Sequence, residues 1–409
     1  MEVAIVGGGI AGLGLALNLH RRGIPCRVYE AAPEVKELGV GITLLPHAMR
    51  ELMTLGLEGD IRAVALETKE SCFFNRFGQL IYREPRGRYG GSPYPEMSIH
   101  RGRLHMVLYR AALAALGAER VLTDRQCVAV EQDDAGVTLR LKETASGRTV
   151  EAVRADLAIA CDGVNSTVRR AFYPDEQVAF AGINTWRGIS RRKPILTGRT
   201  YMRIGSIRTG KLVVYPIIDD VDAEGNQLIN WMAEIETPTT ERNDWNRPGR
   251  LEDFLPYYRD WAFDWLDVPA MLASADLVLE YPMVDKDPVA RWTFGRITFA
   301  GDAAHPMYPR GSTGAAQALV DVRVLADQLA SAQEPRAALK AYEDARLGPT
   351  SRIVRTNREQ PPDFICIKVE ELTGDRPFQN LDDFISQAEL RAMSEQYKRI
   401  AGYATADLT

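Results

Sequence analysis

The stretch Val3-Ala4-Ile5-Val6-Gly7-Gly8-Gly9-Ile10-Ala11-Gly12, with Arg27-Val28-Tyr29-Glu30 downstream, sets the architecture of this chain. Val3–Val6 is a short apolar strand and Gly7–Gly12 is a turn. Leu13, Ala16 and Leu17 then recur at helical spacing up to Arg22. Gly23 ends that helix, where a residue with positive φ is commonly needed. Residues 27–30 form a second strand. A β-α-β unit of this length leads naturally to a parallel sheet.

The glycines carry a chemical reading. Gly7 permits a tight turn, Gly9 lets a pyrophosphate approach the backbone, and Gly12 lets helix and strand pack closely. The helix N-terminus, with Ala11 in its approach, offers N–H groups to phosphate oxygens. Glu30 stands at the end of the second strand, where its carboxylate can accept from both ribose hydroxyls. Strand before, helix after and acid downstream make this GxGxxG a nucleotide site. The motif alone does not separate FAD from NAD.

Composition narrows the class. The chain has 409 residues, enough for two or three domains, with 45% hydrophobic and 26% charged residues. A net charge of −5 points away from nucleic acid and anionic membranes as partners. The five cysteines (Cys26, Cys72, Cys127, Cys161, Cys366) are scattered, with no CxxC pair, so no zinc site or dithiol motif is expected. Scattered thiols suit a reducing cytoplasm. The N-terminus enters a strand directly, without the basic and apolar regions of a leader. No apolar run reaches the roughly 18 residues a membrane span needs.

Further along, a glycine-bearing loop at 39–46 precedes a helix to about Leu55, and Leu104–Leu116 is amphipathic. Residues 121–160 alternate as strands do. The middle stretch, 178–282, is strand-like and rich in aromatics, among them Trp186, Tyr215, Trp231 and Trp245. An apolar strand returns at Ile297–Ala300, followed by a helical run from Gly314 to Leu329, and 335–409 reads as mostly helical. The middle block therefore looks inserted into one nucleotide-binding domain.

Two more strand ends carry acids. Ala160-Cys161-Asp162-Gly163 follows one apolar strand, and Gly301-Asp302-Ala303-Ala304-His305 follows another. Each alone is compatible with an ordinary turn, the first with a Ser or Thr helix cap. Ligands in such sheets bind at the carboxyl ends of strands. His305 offers either a polar group near a ligand or a helix-start histidine satisfied by backbone, and His47 is a lesser pocket candidate.

Together these motifs resemble the class A flavoprotein aromatic hydroxylases, the para-hydroxybenzoate hydroxylase family, over nearly the whole chain. Gly39-Val40-Gly41-Ile42, Ser98-Ile99-His100-Arg101-Gly102, Asp244-Trp245-Asn246-Arg247, Tyr281-Pro282-Met283-Val284-Asp285 and Met307-Tyr308-Pro309 are similar to the branch that hydroxylates phenazines and N-heteroaromatic acids. The resemblance implies an α/β fold: a Rossmann-like FAD-binding domain (1–75, 100–177, 283–335), an inserted, mostly antiparallel substrate sheet (76–99, 178–282) and a helical C-terminal segment (336–409). It implies noncovalent FAD, held by Gly7, Gly9, Ala11, Gly12, Glu30, Gly41, Arg101, Val128, Asp162, Gly163, Gly301, Asp302, Pro309, Gly311 and Gly314. Asp302 would hold the ribityl chain, Arg101 the pyrophosphate or ribityl region, and Asp162 would bear also on the nicotinamide nucleotide. Pro309-Arg310-Gly311-Ser312-Thr313-Gly314 departs from the family's Gly-Gln-Gly or Gly-Ala-Asn-Gly, so only its backbone role carries over.

The implied reaction uses NAD(P)H and O2 to hydroxylate an aromatic or N-heteroaromatic substrate through a flavin C4a-hydroperoxide. No metal and no catalytic side chain is required, because the cofactor carries the chemistry. Substrate contacts are expected from the inserted sheet: Arg187 and Arg203 to hold a carboxylate, and Tyr201, Tyr215 and Trp231 to stack on a ring. Tyr215 and Trp231 read equally well as sheet core. Trp186-Arg187-Gly188-Ile189 is not the WxWxIP of flavin halogenases. A Baeyer–Villiger or epoxidising variant and a non-catalytic flavin-binding redox protein remain alternatives. A cytoplasmic monomer or homodimer is expected.

Overall fold

In the computed structural model, which describes residues 1–150, 152–237 and 247–408, Val3–Val6 is the middle strand of a five-stranded sheet. The order is Ile297–Phe299, Leu157–Ala160, Val3–Val6, Cys26–Tyr29 and Val121–Leu122, every pair parallel. Val3 pairs with Cys26 on one side and Leu157 on the other. All four residues of Val3–Val6 and of Leu157–Ala160 are buried, as expected of a parallel sheet covered on both faces. The first helix runs Ile10–Arg21, so it starts inside the glycine turn rather than at Leu13. It lies against the helix Gly314–Ser331, where Gly14 lets the two close: a Cβ there would sit 3.2 Å from Leu319 and 3.4 Å from Val322.

The middle of the chain forms an eight-stranded sheet. Its order is Arg247–Pro248, Val278–Asp285, Ala179–Arg192, Gln227–Glu236, Gly210–Ile218, Thr200–Ser206, Glu70–Phe74 and Leu80–Pro85. Every pairing is antiparallel except that of Thr200–Ser206 with Glu70–Phe74. The sheet therefore takes in Glu70–Phe74 and extends to Asp285, beyond the boundaries expected from sequence. Met97–His100 lies outside it, in a three-stranded sheet with Gly41–Leu44 and Ala65–Glu67. Gly41–Leu44 is thus a strand where a loop was expected. Asp244, Trp245 and Asn246 lie outside the described residues.

Alternation along these strands gives the large sheet two unlike faces. Met202, Ile204, Leu212, Val214, Ile229, Trp231 and Ala233 pack with Phe254, Tyr258, Met271 and Leu272 in an apolar layer. The residues between them, including Tyr201, Arg203, Lys211, Tyr215, Asn230, Met232 and Glu234, face the nucleotide-binding domain and the C-terminal helices. Those helices are Pro335–Glu359, Phe364–Thr373 and Gln387–Ala401. The last begins with a reciprocal cap between Ser386 and Glu389. All five cysteines are free and buried. Among the described residues, no helix is long and apolar enough to cross a membrane.

Candidate active site

A cavity of about 350 Å³ opens where the carboxyl ends of the parallel strands meet the large sheet. The glycine turn forms its floor. Gly7 has φ +101°, and a Cβ there would come within 2.5 Å of the Cys161 carbonyl oxygen. A Cβ at Gly12 would fall 1.9 Å from the Gly7 oxygen. Both positions therefore need glycine for packing. Gly9 differs: its missing Cβ would meet nothing within 4 Å, and it borders the cavity with Ile10 and Ala11. That open space is what a close-approaching pyrophosphate requires. Glu30 accepts from the Gly8 amide (2.6 Å) and the Ala32 amide (2.7 Å), which fixes its carboxylate beside the turn. An ionised carboxylate still has lone pairs for ribose hydroxyls. His105, which sequence reasoning missed, bonds the Gly8 carbonyl through Nε2 at 2.6 Å.

The two acidic strand ends behave differently. Asp162 Oδ2 accepts from the Thr167 amide at 2.8 Å at the start of a short helix, and Oδ1 is buried without a partner. Ser166 caps the same helix through the Arg169 amide. Gly163, at φ +77°, borders the cavity. Gly301, at φ +60°, lies so close to the first helix that a Cβ would be 2.9 Å from that of Ala11. Asp302 then faces the cavity with Arg101. Desolvation raises the Asp302 pKa, opposed by the charges of His305 and Arg101.

His305 does not line the cavity, and its ring is held by a carboxylate rather than by backbone, with Nδ1 buried and unpartnered. Its Nε2 is bonded to Asp321 Oδ2, which also accepts from the Gly301 amide at 3.1 Å. Arg346 Nε donates to Asp321 Oδ1 at 2.7 Å. Burial alone would raise the Asp321 carboxyl, but His305 and Arg346 outweigh it and lower it. The assembly braces the Gly301-Asp302 turn from behind. His47 is not in the cavity either. It is buried, stacked on Tyr403 at 5.3 Å and contacted by the Gln317 amide.

The loop before the helix Gly314–Ser331 supplies the next wall. Pro309, Ser312, Gly314 and Ala315 border the cavity. Gly311 does not: a Cβ there would overlap the Tyr397 hydroxyl at 1.7 Å, so its glycine serves contact with the last long helix. Ser312 adopts a left-handed conformation, φ 55°, and its Oγ lies 3.2 Å from Tyr201 Oη. Non-glycine residues held in this region tend to mark functional turns.

The large sheet closes the far side. Arg187 and Tyr215 line the cavity, joined by Thr43, Met232 and Met307. Gly41 also lines it, and its amide donates to Asn230 Oδ1 at 2.7 Å. The Arg187 guanidinium lies 5.5 Å from the Tyr281 ring centre, and its Nε is buried without a partner. Tyr201 stacks on Tyr215 at 4.9 Å, one layer behind the wall. Like Gly311 and Tyr201, three further expected residues do not border the cavity. Trp231 points to the opposite face, fully buried, with Nε1 donating to Ser190 Oγ at 3.0 Å; its neighbour Met232 takes the cavity position. Arg203 is buried behind Tyr201, donating to Ser71 Oγ at 3.0 Å. Val128 is 42% exposed on the strand Gln126–Gln132 and does not border the cavity.

The donor set fits a bound dinucleotide. Gly9, Gly163 and Gly314 present bare backbone to the cavity, Arg101 supplies a cation, and two helices begin at its edge. Among the described residues, no group of three or more His, Cys, Asp or Glu is placed to hold a metal ion.

Comparison with known proteins agrees with this geometry. The model of the FAD binding domain family matches residues 1–198 and 281–357. Phenazine 1,6-dicarboxylic acid hydroxylase PhzS of Lysobacter antibioticus is 37% identical over 404 residues, covering 98% of this chain and 97% of that protein. The 3-amino-4-hydroxybenzoate 2-monooxygenase PtnB3 of Streptomyces platensis is 34% identical, covering 89% and 88%. Klebsiella pneumoniae HpxO, solved with FAD and uric acid, shares the fold at TM-score 0.78 and 22% identity, covering 97% and 96%. The chain therefore belongs to the FAD binding domain family, as an FAD-dependent flavoprotein monooxygenase of the aromatic hydroxylase kind.

Proposed function

We propose that this enzyme hydroxylates a planar aromatic acid of the N-heteroaromatic, phenazine-carboxylate type, using NAD(P)H and O2. The observation that carries this is Arg187. Its guanidinium, with an unpartnered Nε, lines a cavity that Tyr215, Met232, Met307 and Ile42 also line. A half-buried cation whose buried Nε has no partner favours an anionic ligand, and a carboxylate meets a guanidinium through two parallel hydrogen bonds. The aromatic and thioether walls suit a flat ring. The names of the phenazine and aminohydroxybenzoate relatives support the same class.

FAD would be held noncovalently by Glu30 at the ribose, Gly9 and Ala11 at the pyrophosphate, Asp302 at the ribityl chain and the Pro309–Gly314 backbone at the ring. When bound, the flavin supplies hydride acceptance and oxygen transfer. The chain's own residues then position and shield. The N-terminus of Gly314–Ser331 favours negative charge at the ring. Arg187 orients the acid, and Tyr215 and Met232 flank it. No side-chain nucleophile or metal is needed for this division of labour. The buried free thiols suit a reducing cytoplasm, and the enzyme is proposed to be a monomer or homodimer.

The test is NADH and NADPH oxidation by the holoenzyme over phenazine, quinoline, pyridine and benzoate carboxylates, with product mass measured. One of these acids should accelerate oxidation and gain one oxygen atom. Equal stimulation by the matching uncharged carboxamides would refute the role of Arg187.

A further inference from the structure

Behind the ring-facing loop lies a buried charge cluster that the proposed reaction does not use. Lys211 and Glu234 face each other across neighbouring strands of the large sheet, with Lys211 Nζ donating to Glu234 Oε2 at 2.7 Å. Lys211 is also 3.2 Å from Asp363 Oδ2. Arg310, between Pro309 and Gly311, donates to that same oxygen at 2.8 Å. Arg203 lies on the same face of the sheet. Its guanidinium is 4.5 Å from the centre of the Tyr201 ring, and Tyr201 is bonded to Ser312. None of the five side chains is more than 8% exposed.

Three cations against two carboxylates leave a formal excess of one positive charge. Arg203 carries the excess, because its hydrogen bond goes to the neutral Ser71 hydroxyl. The nearby carboxylates Glu236 and Glu370 are solvent-facing and half-buried respectively, so their fields are more strongly screened. Burial alone would raise the Asp363 carboxyl, but Lys211 and Arg310 outweigh it and hold it well below the usual range. Cations buried at such a site are felt over longer distances than surface charges.

We infer that the cluster Arg203–Lys211–Glu234–Arg310–Asp363 tunes the flavin's reduction potential, by placing an excess positive charge behind the loop Pro309–Gly314. The inference rests on the proposed placement of the ring against that loop. A nicotinamide hydride delivers two electrons and one proton. The reduced ring then keeps one negative charge unless solvent supplies a second proton. A fixed cation behind the loop favours that charged form and so favours reduction. These are positioning residues: they act on the cofactor through the protein, without touching substrate.

The experiment measures the two-electron potential of holoenzyme variants by equilibration with a reference dye, alongside FAD stoichiometry and Tm. Arg203→Met should lower the potential, with the reduction equilibrium shifting on the order of tenfold, about 30 mV for two electrons. Arg203→Lys should restore it. Asp363→Asn removes an anion and should shift the potential the opposite way. A purely structural brace would lower Tm or FAD content in both variants without opposite shifts. Should Arg203→Met fail to fold, the direction of the Asp363→Asn shift decides alone. Ser312→Asp is the control for ring placement, since aspartate tolerates the left-handed conformation. If Ser312→Asp lowers the potential while the cluster variants leave it unchanged or shift it alike, the inference falls and the placement stands. If Ser312→Asp also has no effect, the placement itself falls, and the inference with it.

Discussion

Gly9 and Asp302 make the strongest single-residue statements about the cofactor. Gly9 has empty space where its Cβ would be, whereas Gly7 and Gly12 have none. Gly9→Val should therefore leave the fold intact but fill the pyrophosphate approach. The purified variant should contain little FAD at near-normal Tm, as read by absorbance and thermal unfolding. Asp302 faces the cavity, and Asp302→Ala removes an acceptor for ribityl hydroxyls. A hydrogen bond to a charged group contributes about 1.5–3 kcal/mol, so flavin Kd should rise roughly ten- to a hundredfold. Unchanged affinity in a fluorescence titration would remove Asp302 from the site. Arg187→Met should raise KM for the aromatic acid by a similar factor, with little effect on its carboxamide.

At the level of elements, the C-terminal helices fix the loop Pro309–Gly314. Tyr397 donates to Asn357 Oδ1 at 2.7 Å, and its hydroxyl occupies the space a Gly311 side chain would need. Gly311→Ala forces that contact apart and should destabilise by about 1–3 kcal/mol, seen as a lower Tm. His47, at the start of the helix Pro46–Thr54, gives a pH signature. Burial, with Arg50 and Arg346 adding to it, lowers its pKa from 6.5 to about 3. The unfolded chain thus binds a proton that the folded chain refuses. Stability from this group is present above pH 6.5 and is lost as pH falls towards 3. Between pH 6.5 and 5 the loss is about 2 kcal/mol. Denaturant midpoints should fall over this window, and His47→Asn should flatten the dependence.

The same elements show what a one-dimensional reading can reach. The glycine turn with Glu30 beside it, and the places of Asp302, Pro309 and Gly314 on the cavity, were legible because the constraints are local: a strand ends, a glycine permits close approach, a helix begins. The inserted sheet was legible as a sheet, yet its sidedness was not. In Ile229-Asn230-Trp231-Met232-Ala233, large side chains are buried on both faces, so alternation does not reveal that Met232 faces the cavity and Trp231 does not. Arg203 shares its face with Tyr201, and only packing puts it one layer too deep. Gly311 looked like a ligand-facing glycine because its constraint comes from Tyr397, some eighty positions away in sequence.

Across the whole molecule, the parallel sheet, the large sheet and the strand Gly41–Leu44 meet at a cavity, with the glycine turn and Asp302 on one wall and Arg187 on the other. That arrangement makes oxygen transfer to an aromatic acid the central claim. Its most direct test is turnover of the accepted acid under isotopically labelled O2, with mass spectrometry of the product. The expected product carries one labelled oxygen atom per nicotinamide oxidised. Nicotinamide oxidation that yields only hydrogen peroxide, or a product whose new oxygen comes from water, would contradict the account.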